Sequence, residues 1–411
     1  MCNFMGESMR NLQELCLMPK PAILISGSSI AGPAAAFWLV RAGFDVTVVE
    51  QASALRQGGN GVDIRAEALA VIDRMGLDAA VRERAVHVEG LRFVDARDRQ
   101  RARIATAGLE KMVGSEDVEI TRGDLSALLY RATHADVAYI FNDAVAALAQ
   151  DEQGVDVTFH SGAQRRFDLV IGADGLHSAI RRIVFGPEES FVEFCQHYFA
   201  SVAADMDIGE PGWTTFFNEP GRSAAVYRAG AGEGQITFMF RSERPLAYHH
   251  RDVAAQRRLL REAFAGMEWH VPSLLDAADN AENFYFDALA QTKMSSWSHG
   301  RVVLVGDAAY CASPASGAGA LLALTGAYRL AGELAEGGIS ASTLARYEAA
   351  QRPLVQLKQS QLFTGITVPR TRAGILARNL FLSSPLTGVL SRWKSDSADV
   401  LRTYTFSSAR V

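Results

Sequence analysis

Three short segments of this chain combine an acidic side chain with glycine in ways suited to a phosphorylated, hydroxyl-rich ligand. The first is Gly27-Ser28-Ser29-Ile30-Ala31-Gly32, with Glu50 following about twenty residues on. A dinucleotide pyrophosphate must come close to main-chain N–H groups at a helix N-terminus, which only small side chains permit. Gly27 makes the tight turn and Gly32 lets helix and strand pack closely. Ser29 stands at the middle glycine position of G-x-G-x-x-G and crowds the phosphate slightly. Glu50 ends a second strand, where an acid hydrogen-bonds the ribose hydroxyls of an adenosine half. The alternative for the turn alone is a structural strand-to-helix connection.

The second segment runs from Asp168 along the apolar Leu169-Val170-Ile171 into Gly172-Ala173-Asp174-Gly175, with Ser178 and Arg181 at fixed offsets beyond. The third is Arg301-Val302-Val303-Leu304-Val305-Gly306-Asp307, followed by Pro314, Gly317 and Gly319. It again delivers a carboxylate at a strand end just before a helix. Asp307 is placed either to accept hydrogen bonds from a polyol or to serve as a bare helix cap.

The surrounding pattern supplies the elements that such residues need. The apolar run Ala22–Ile25, the helical Pro33–Val40, a stop at Gly43 and the alternating Phe44–Glu50 predict a β-α-β unit. Glycines cluster again at 58, 59 and 61, bracketed by Arg56 and Arg65, before a helix over Ala66–Met75. Strands are expected at Gly90–Asp95, Arg101–Ala105, Val118–Thr121, Val137–Phe141, Val155–Phe159 and Phe167–Ile171, with a helix over Asp124–Ala132. From about Val184 to Phe286 the chain reads as aromatic-rich strands forming a separate sheet. A long small-residue helix begins near Ser316, and basic helical segments follow at Arg370–Leu382 and Ser391–Lys394.

These three segments, in this order, resemble the class A flavoprotein monooxygenases, the family of the para-hydroxybenzoate hydroxylases, aromatic polyketide hydroxylases and tetracycline-inactivating monooxygenases. The resemblance covers roughly Pro21 to Arg352. It implies an α/β fold: a Rossmann-like FAD-binding domain, an inserted, mostly antiparallel β-sheet substrate domain, and a C-terminal helical segment. The corresponding division is an N-terminal extension at 1–20, a discontinuous FAD-binding domain at 21–85, 106–183 and 287–365, a substrate domain at 86–105 and 184–286, and helices over 366–411.

Carried over by position, Gly27, Ser29, Ile30, Ala31 and Gly32 would hold the pyrophosphate and Glu50 the adenosine ribose. Arg56 joins the cofactor contacts. Arg122, within Glu119-Ile120-Thr121-Arg122-Gly123-Asp124, matches a flavin-contacting arginine before a helix. Asp174 belongs to a fingerprint tied to FAD and nicotinamide binding, and Gly306 and Asp307 would hold the ribityl chain. Pro314 joins the cofactor contacts, and backbone N–H groups of Gly317, Ala318, Gly319 and Ala320 would face the flavin pyrimidine, where the helix dipole favours the negative charge of reduced flavin. The match departs from the family at Tyr310, where many members have His, and at Ala318 and Leu321, which replace the Gln and Asn of G-Q-G-x-N.

The implied reaction is NAD(P)H-dependent: NADPH or NADH reduces FAD and leaves, and O2 then gives a flavin C4a-hydroperoxide that passes one oxygen atom to an aromatic or polyketide-like molecule. Hydroxylation is expected, with Baeyer-Villiger insertion or epoxidation open on the same scaffold, and a non-catalytic flavin-binding redox module as the reading from another class. The roles that fit range from antibiotic biosynthesis to inactivation. Because the cofactor carries the reactive atom, no catalytic residue is assigned. Tyr198, Arg222, Tyr227, Phe238 and Phe240 are the candidate substrate-lining residues, against the alternative that such aromatics are sheet core. Alternation puts Phe238 and Phe240 on one face and Met239 on the other.

Composition narrows the field. With 41 Lys and Arg against 46 Asp and Glu, the net charge of -5 leaves no basic excess for a nucleic-acid backbone. Cys2, Cys16, Cys195 and Cys311 have no metal-type spacing and make no disulfide framework, which fits a cytoplasmic protein, monomer or homodimer, with no metal. No apolar run reaches transmembrane length. Trp38, Trp213, Trp269, Trp297 and Trp393 form no W-x-W pair of the kind that marks flavin-dependent halogenases.

Overall fold

The computed structural model describes residues 20–55, 59–65, 67–86, 88–106, 118–204, 206–228, 234–249, 251–362, 364–383 and 401–406. Arg56, the extension before residue 20 and the segment Ser391–Lys394 lie outside the described residues.

The chain begins β1 (Ala22–Ser26), α1 (Ala31–Arg41), β2 (Asp45–Glu50), β3 (Gly61–Ile64), α2 (Glu67–Arg74), α3 (Asp78–Glu83), β4 (Gly90–Val94) and β5 (Gln100–Ala105). Next come β6 (Val118–Thr121), α4 (Arg122–Arg131), β7 (Ala138–Phe141), β8 (Val145–Gln150), β9 (Val155–Phe159), β10 (Gln164–Phe167), β11 (Leu169–Gly172) and α5 (Ala179–Val184). The middle is β12 (Val192–Ala203), β13 (Trp213–Glu219), β14 (Arg222–Arg228), β15 (Gly234–Arg241), α6 (Val253–Ala263), α7 (Val271–Asn280) and β16 (Tyr285–Thr292). The rest is β17 (Ser298–His299), β18 (Val302–Leu304), α8 (Asp307–Tyr310), α9 (Gly319–Gly337), α10 (Ala341–Gln359), α11 (Thr364–Thr367) and α12 (Arg372–Leu382).

β1, β11 and β18 are continuous apolar runs because the sheet they form is buried, in one core with α1, α9 and the strands β8, β9 and β10, so nearly every strand position is apolar. That sheet has the order β17-β18-β11-β1-β2-β7, parallel apart from the β17–β18 pair. The order reverses beside β1, the arrangement that opens a crevice at the carboxyl ends of the strands. α1 starts at Ala31, two positions before the expected Pro33. Its small residues Ala34, Ala35 and Ala36 are fully buried in the same core as Leu321, Leu324 and Leu330 of α9.

A second sheet runs β16-β12-β15-β14-β13-β4-β5 and is antiparallel except between β13 and β4. β16 is one continuous strand of this sheet, so the expected division at residues 286 and 287 falls inside it. Two helices, α6 and α7, occupy a stretch expected to be strand throughout. α6 reads as a surface helix, with Leu260 and Gln256 buried and Arg257, Arg258 and Arg261 around them. Together α6 and α7 cover one face of the sheet, closing a core of Phe238, Phe240, Phe264, Leu274 and Phe286. α12 lies on the other face, where Leu382 joins Phe93, Ala102 and Ile104. Among the described residues no helix is long and apolar enough to cross a membrane.

Candidate active site

Because β1, β11 and β18 are adjacent and parallel, the three glycine-acid turns that follow them share one edge. Backbone bonds stitch that edge up to the turns themselves: Gly27 N–H donates to Val49 C=O (2.8 Å), Ala173 N–H to Ser26 C=O (2.8 Å) and Val305 N–H to Gly172 C=O (2.9 Å). Gly27 has φ +106°, and a Cβ there would lie 2.5 Å from Ala173 C=O. A Cβ on Gly32 would lie 1.9 Å from Gly27 C=O, so both glycines are steric requirements of the turn. Gly306 brings the third turn against the first, since its Cβ would sit 3.0 Å from that of Ala31. Ile30 and Ala31 are buried at the start of α1.

The side chains around this edge fall into two groups. Ser29 Oγ accepts a hydrogen bond from Arg122 Nε (3.1 Å), so the residue that breaks the glycine pattern also anchors the arginine at the start of α4. Thr121 caps that helix, accepting from Asp124 N–H (3.1 Å). Glu50 accepts from Ser28 N–H (2.8 Å) and Ala52 N–H (2.9 Å), which holds its carboxylate beside the turn. Burial raises the pKa of Asp307 while the neighbouring Arg122 opposes the rise. Tyr285, on β16, feels both of these charges, and burial raises its pKa as well.

Asp174 is turned inward. It accepts from Ser178 Oγ (2.5 Å) and Ile180 N–H (3.1 Å), fixing the Asp-Gly turn onto the start of α5. Arg181 is fully buried and donates to Ala308 C=O (2.9 Å) and Leu176 C=O (2.5 Å), tying the second turn to the third. The sequence holds Arg181 inside the motif, but nothing in its spacing reveals that span. Tyr285 and Asn60 were not anticipated either. Asn60 Oδ1 accepts from Ser201 Oγ and Gln235 Nε2 (2.6 Å each), while Asn60 C=O accepts from Arg122 N–H (3.0 Å), linking the second sheet to this edge.

At the start of α9, Pro314 lies in a short turn and Gly317 has φ +61°. Ala318 and Leu321 point into the core, where the family's polar side chains are not needed for packing. Ala318 N–H donates to Ser316 Oγ (3.2 Å). A Cβ on Gly319 would meet nothing within 4 Å, so the space before the free N–H groups of Gly319 and Ala320 is open. Tyr310 replaces histidine as a core residue, its hydroxyl 3.0 Å from that of Tyr347. Two glycine-rich turns, the carboxylates of Glu50 and Asp307 and one arginine are residue types that could hold a dinucleotide carrying a polyol chain.

The proposed substrate lining needs correction. Tyr198 and Phe238 are 1% exposed and Phe240 6%, and all three pack against α6 and α7 on the face turned away from Asn60. Phe238 and Phe240 do share a face, but two unforeseen helices make it core. Arg222 donates to Ala263 C=O and Ala265 C=O (3.1 Å each) at the end of α6 and pairs with Glu219, so it serves that helix. Tyr227 pairs with Gln235, and therefore lies on the face that meets Asn60, together with Thr237, Met239 and Phe199.

A family model described as an FAD binding domain matches residues 20–359. An uncharacterized protein of Mycobacterium tuberculosis is 43% identical over 77% of this chain and 85% of its own length. A flavin-dependent monooxygenase of Legionella longbeachae is 36% identical over 82% of this chain and 86% of its own. Among solved structures, the tetracycline destructase Tet(51) superposes with a TM-score of 0.79 at 33% identity, covering 91% of this chain and 98% of that one. Klebsiella pneumoniae HpxO complexed with FAD and uric acid shares the fold, with a TM-score of 0.70 at 22% identity over 90% and 95% of the two chains.

Proposed function

This chain belongs to the FAD binding domain family and is an FAD-dependent monooxygenase, and from that premise we propose that it uses NADPH or NADH with O2 to hydroxylate an aromatic or polyketide-like small molecule. The observation that carries the reading is the gathering of Glu50, Arg122 and Asp307 around two open backbone cradles on one sheet edge. Bound there, FAD supplies the redox chemistry and the oxygen-transferring atom. The chain's own task is to hold it, orient a substrate and keep water out.

Gly27 to Gly32 receive the pyrophosphate, Glu50 the adenosine ribose and Asp307 the ribityl hydroxyls. Arg122, held by Ser29, would contact the bound cofactor from the start of α4. The N–H groups at the start of α9 face the pyrimidine edge and favour negative charge there. Thr237, Met239, Phe199 and Tyr227 share the sheet face that meets this edge through Asn60, a mostly apolar surface suited to a ring system. The likeness to Tet(51) supports including a polycyclic polyketide among the substrates tried.

The test is direct. Purified protein is expected to show the two-band flavin spectrum, to bleach with NADPH or NADH, and to add one oxygen atom to a member of a panel of phenols, naphthols and tetracycline, read by mass spectrometry. NAD(P)H consumption that yields only hydrogen peroxide across the whole panel would overturn the substrate class. Protein that takes up no FAD would overturn the cofactor site.

A further inference from the structure

A cleft of about 380 Å3 lies between β12 and the α11–α12 segment, lined by His197 of β12, by Thr364 and Val368 at α11, and by Arg370 and Thr371 at the start of α12. Its size suits a small-molecule subsite. β12 changes register between Phe194 and His197, with Gln196 at φ +59°, a bulge that re-aims the next side chain. His197 is 7% exposed, so more than nine-tenths of it is buried in the cleft wall. The bulge adjoins the loop leading to α9, because Cys195 hydrogen-bonds Ser313, the residue before Pro314.

The chemistry of the ring nitrogens follows from its single partner. Nδ1 lies 2.9 Å from Cys195 C=O, and a carbonyl only accepts, so Nδ1 carries the hydrogen. Burial, with Arg241 and Arg370 close by, lowers the pKa and so favours the neutral ring, whose lone pair lies on Nε2. Arg241 is the cross-strand partner of His197. Its Nη2 donates to Gln196 Oε1 (2.9 Å), whereas its Nη1 is buried with no hydrogen-bond partner. Neither Arg241 nor Arg370 makes an ion pair among the described residues. The carboxylate on β12, Glu193, is taken by Lys293, the residue after β16 (2.6 Å). One acceptor nitrogen, the buried and unpartnered Nη1 of Arg241 and the exposed guanidinium of Arg370 on the cleft lining together suit a ligand that brings a proton and leaves a negative charge.

We propose that this cleft is the subsite for an acidic hydroxyl, phenolic or enolic, of the substrate, with His197 Nε2 taking its proton and Arg370, backed by Arg241, holding the resulting oxyanion. In this step the O–H bond breaks, an Nε2–H bond forms and the electron pair stays on oxygen, so nothing is oxidised or reduced. A carboxylate is a poorer fit, because the Nε2 lone pair would repel it. The purpose of the step rests on the ring-oxygenation reading, since a phenolate or enolate is the more electron-rich form.

The probe is 4-nitrophenol, added to FAD-loaded protein at about pH 6 and followed by difference spectroscopy, with 4-nitroanisole as the analogue lacking the proton. Bound 4-nitrophenol is expected to show its phenolate band, and 4-nitroanisole to bind at least roughly tenfold more weakly. His197→Gln is expected to lose the phenolate band, and Arg370→Met, at an exposed position outside the core, to weaken binding roughly tenfold. Unchanged affinity and band in both variants, with FAD retained, would overturn the assignment. So would wild-type binding of the phenol form alone. A phenolate band that persists while no ring substrate is oxygenated would leave the subsite standing and bring down the substrate class instead.

Discussion

Asp307, proposed to hold the ribityl chain, is a residue whose burial works against the empty fold. Burial raises its pKa above the usual carboxylate value, with Arg122 only partly offsetting. An acid whose folded-state pKa exceeds its unfolded value costs stability once the pH is above both, because the folded chain must hold the charge in a poorer environment. Asp307→Ala is therefore expected to leave the apo fold at neutral pH as stable as before or more so, while weakening FAD. Loss of a hydrogen bond to a charged group, about 1.5–3 kcal/mol, corresponds to a rise in Kd on the order of tenfold to a hundredfold. Urea denaturation of the apoprotein and fluorescence titration of FAD check the two halves separately. An apoprotein that unfolds more easily, with FAD affinity unchanged, would make Asp307 a structural cap and remove it from the cofactor site.

At the scale of elements, the Asp-Gly turn is held to the second sheet by one imidazole. His177 Nδ1 lies 2.9 Å from Glu188 and Nε2 3.1 Å from Asp287 on β16. Burial by itself would lower its pKa, but hydrogen bonds to Asp287 and Glu188 together outweigh it and raise the value to about 9. A raised folded-state pKa gives stability that is fully present below the unfolded value near 6.5 and is lost as the pH climbs through about 9. The stability difference between wild type and His177→Gln should thus be largest near pH 6 and shrink as the pH passes 9, followed by thermal melts over that range. A difference that is flat with pH would mean that the imidazole is not charged in the fold.

The same scale explains what was readable beforehand. β1, α1 and β2 announce themselves through an unbroken apolar run, a small-residue helix and a glycine turn, all local signals. Which face of β15 is functional is not local. It depends on α6 and α7, whose charged residues hide a narrow buried stripe and which pack on strands far away in sequence. Phe238 and Phe240 therefore looked like a pocket wall and proved to be core, while Thr237 and Met239 took the other side. Arg181 and Asn60 escaped notice for a related reason, since each acts only by bridging segments that the fold brings together.

For the molecule as a whole, the residues proposed to hold FAD run from Gly27 to Ala320, and several segments far apart in the chain must meet before any site exists. β16 hooks the second sheet onto the third turn, Thr292 N–H donating to Cys311 C=O (3.0 Å) and Thr292 Oγ1 to Asp307 C=O (3.0 Å). Residues 401–406 strap α1 and α9 from outside, with Phe406 stacked on Trp38 at 4.7 Å and Tyr404 N–H donating to Tyr328 Oη (3.2 Å). An unfolded chain retains none of this geometry, so FAD binds the native state alone and stabilises it by mass action. At a hundredfold excess over Kd the gain is about 2.7 kcal/mol. With an unfolding entropy of about 2.1 cal/mol/K per residue over a chain of 411 residues, that is a rise in Tm of roughly 3 °C. Each further tenfold of FAD should add roughly half as much again, because the dependence is logarithmic. Calorimetry of the FAD-stripped protein across an FAD series measures it. A Tm that stays put across the series would mean that the three turns do not assemble into one binding site, however well they align along the sheet edge.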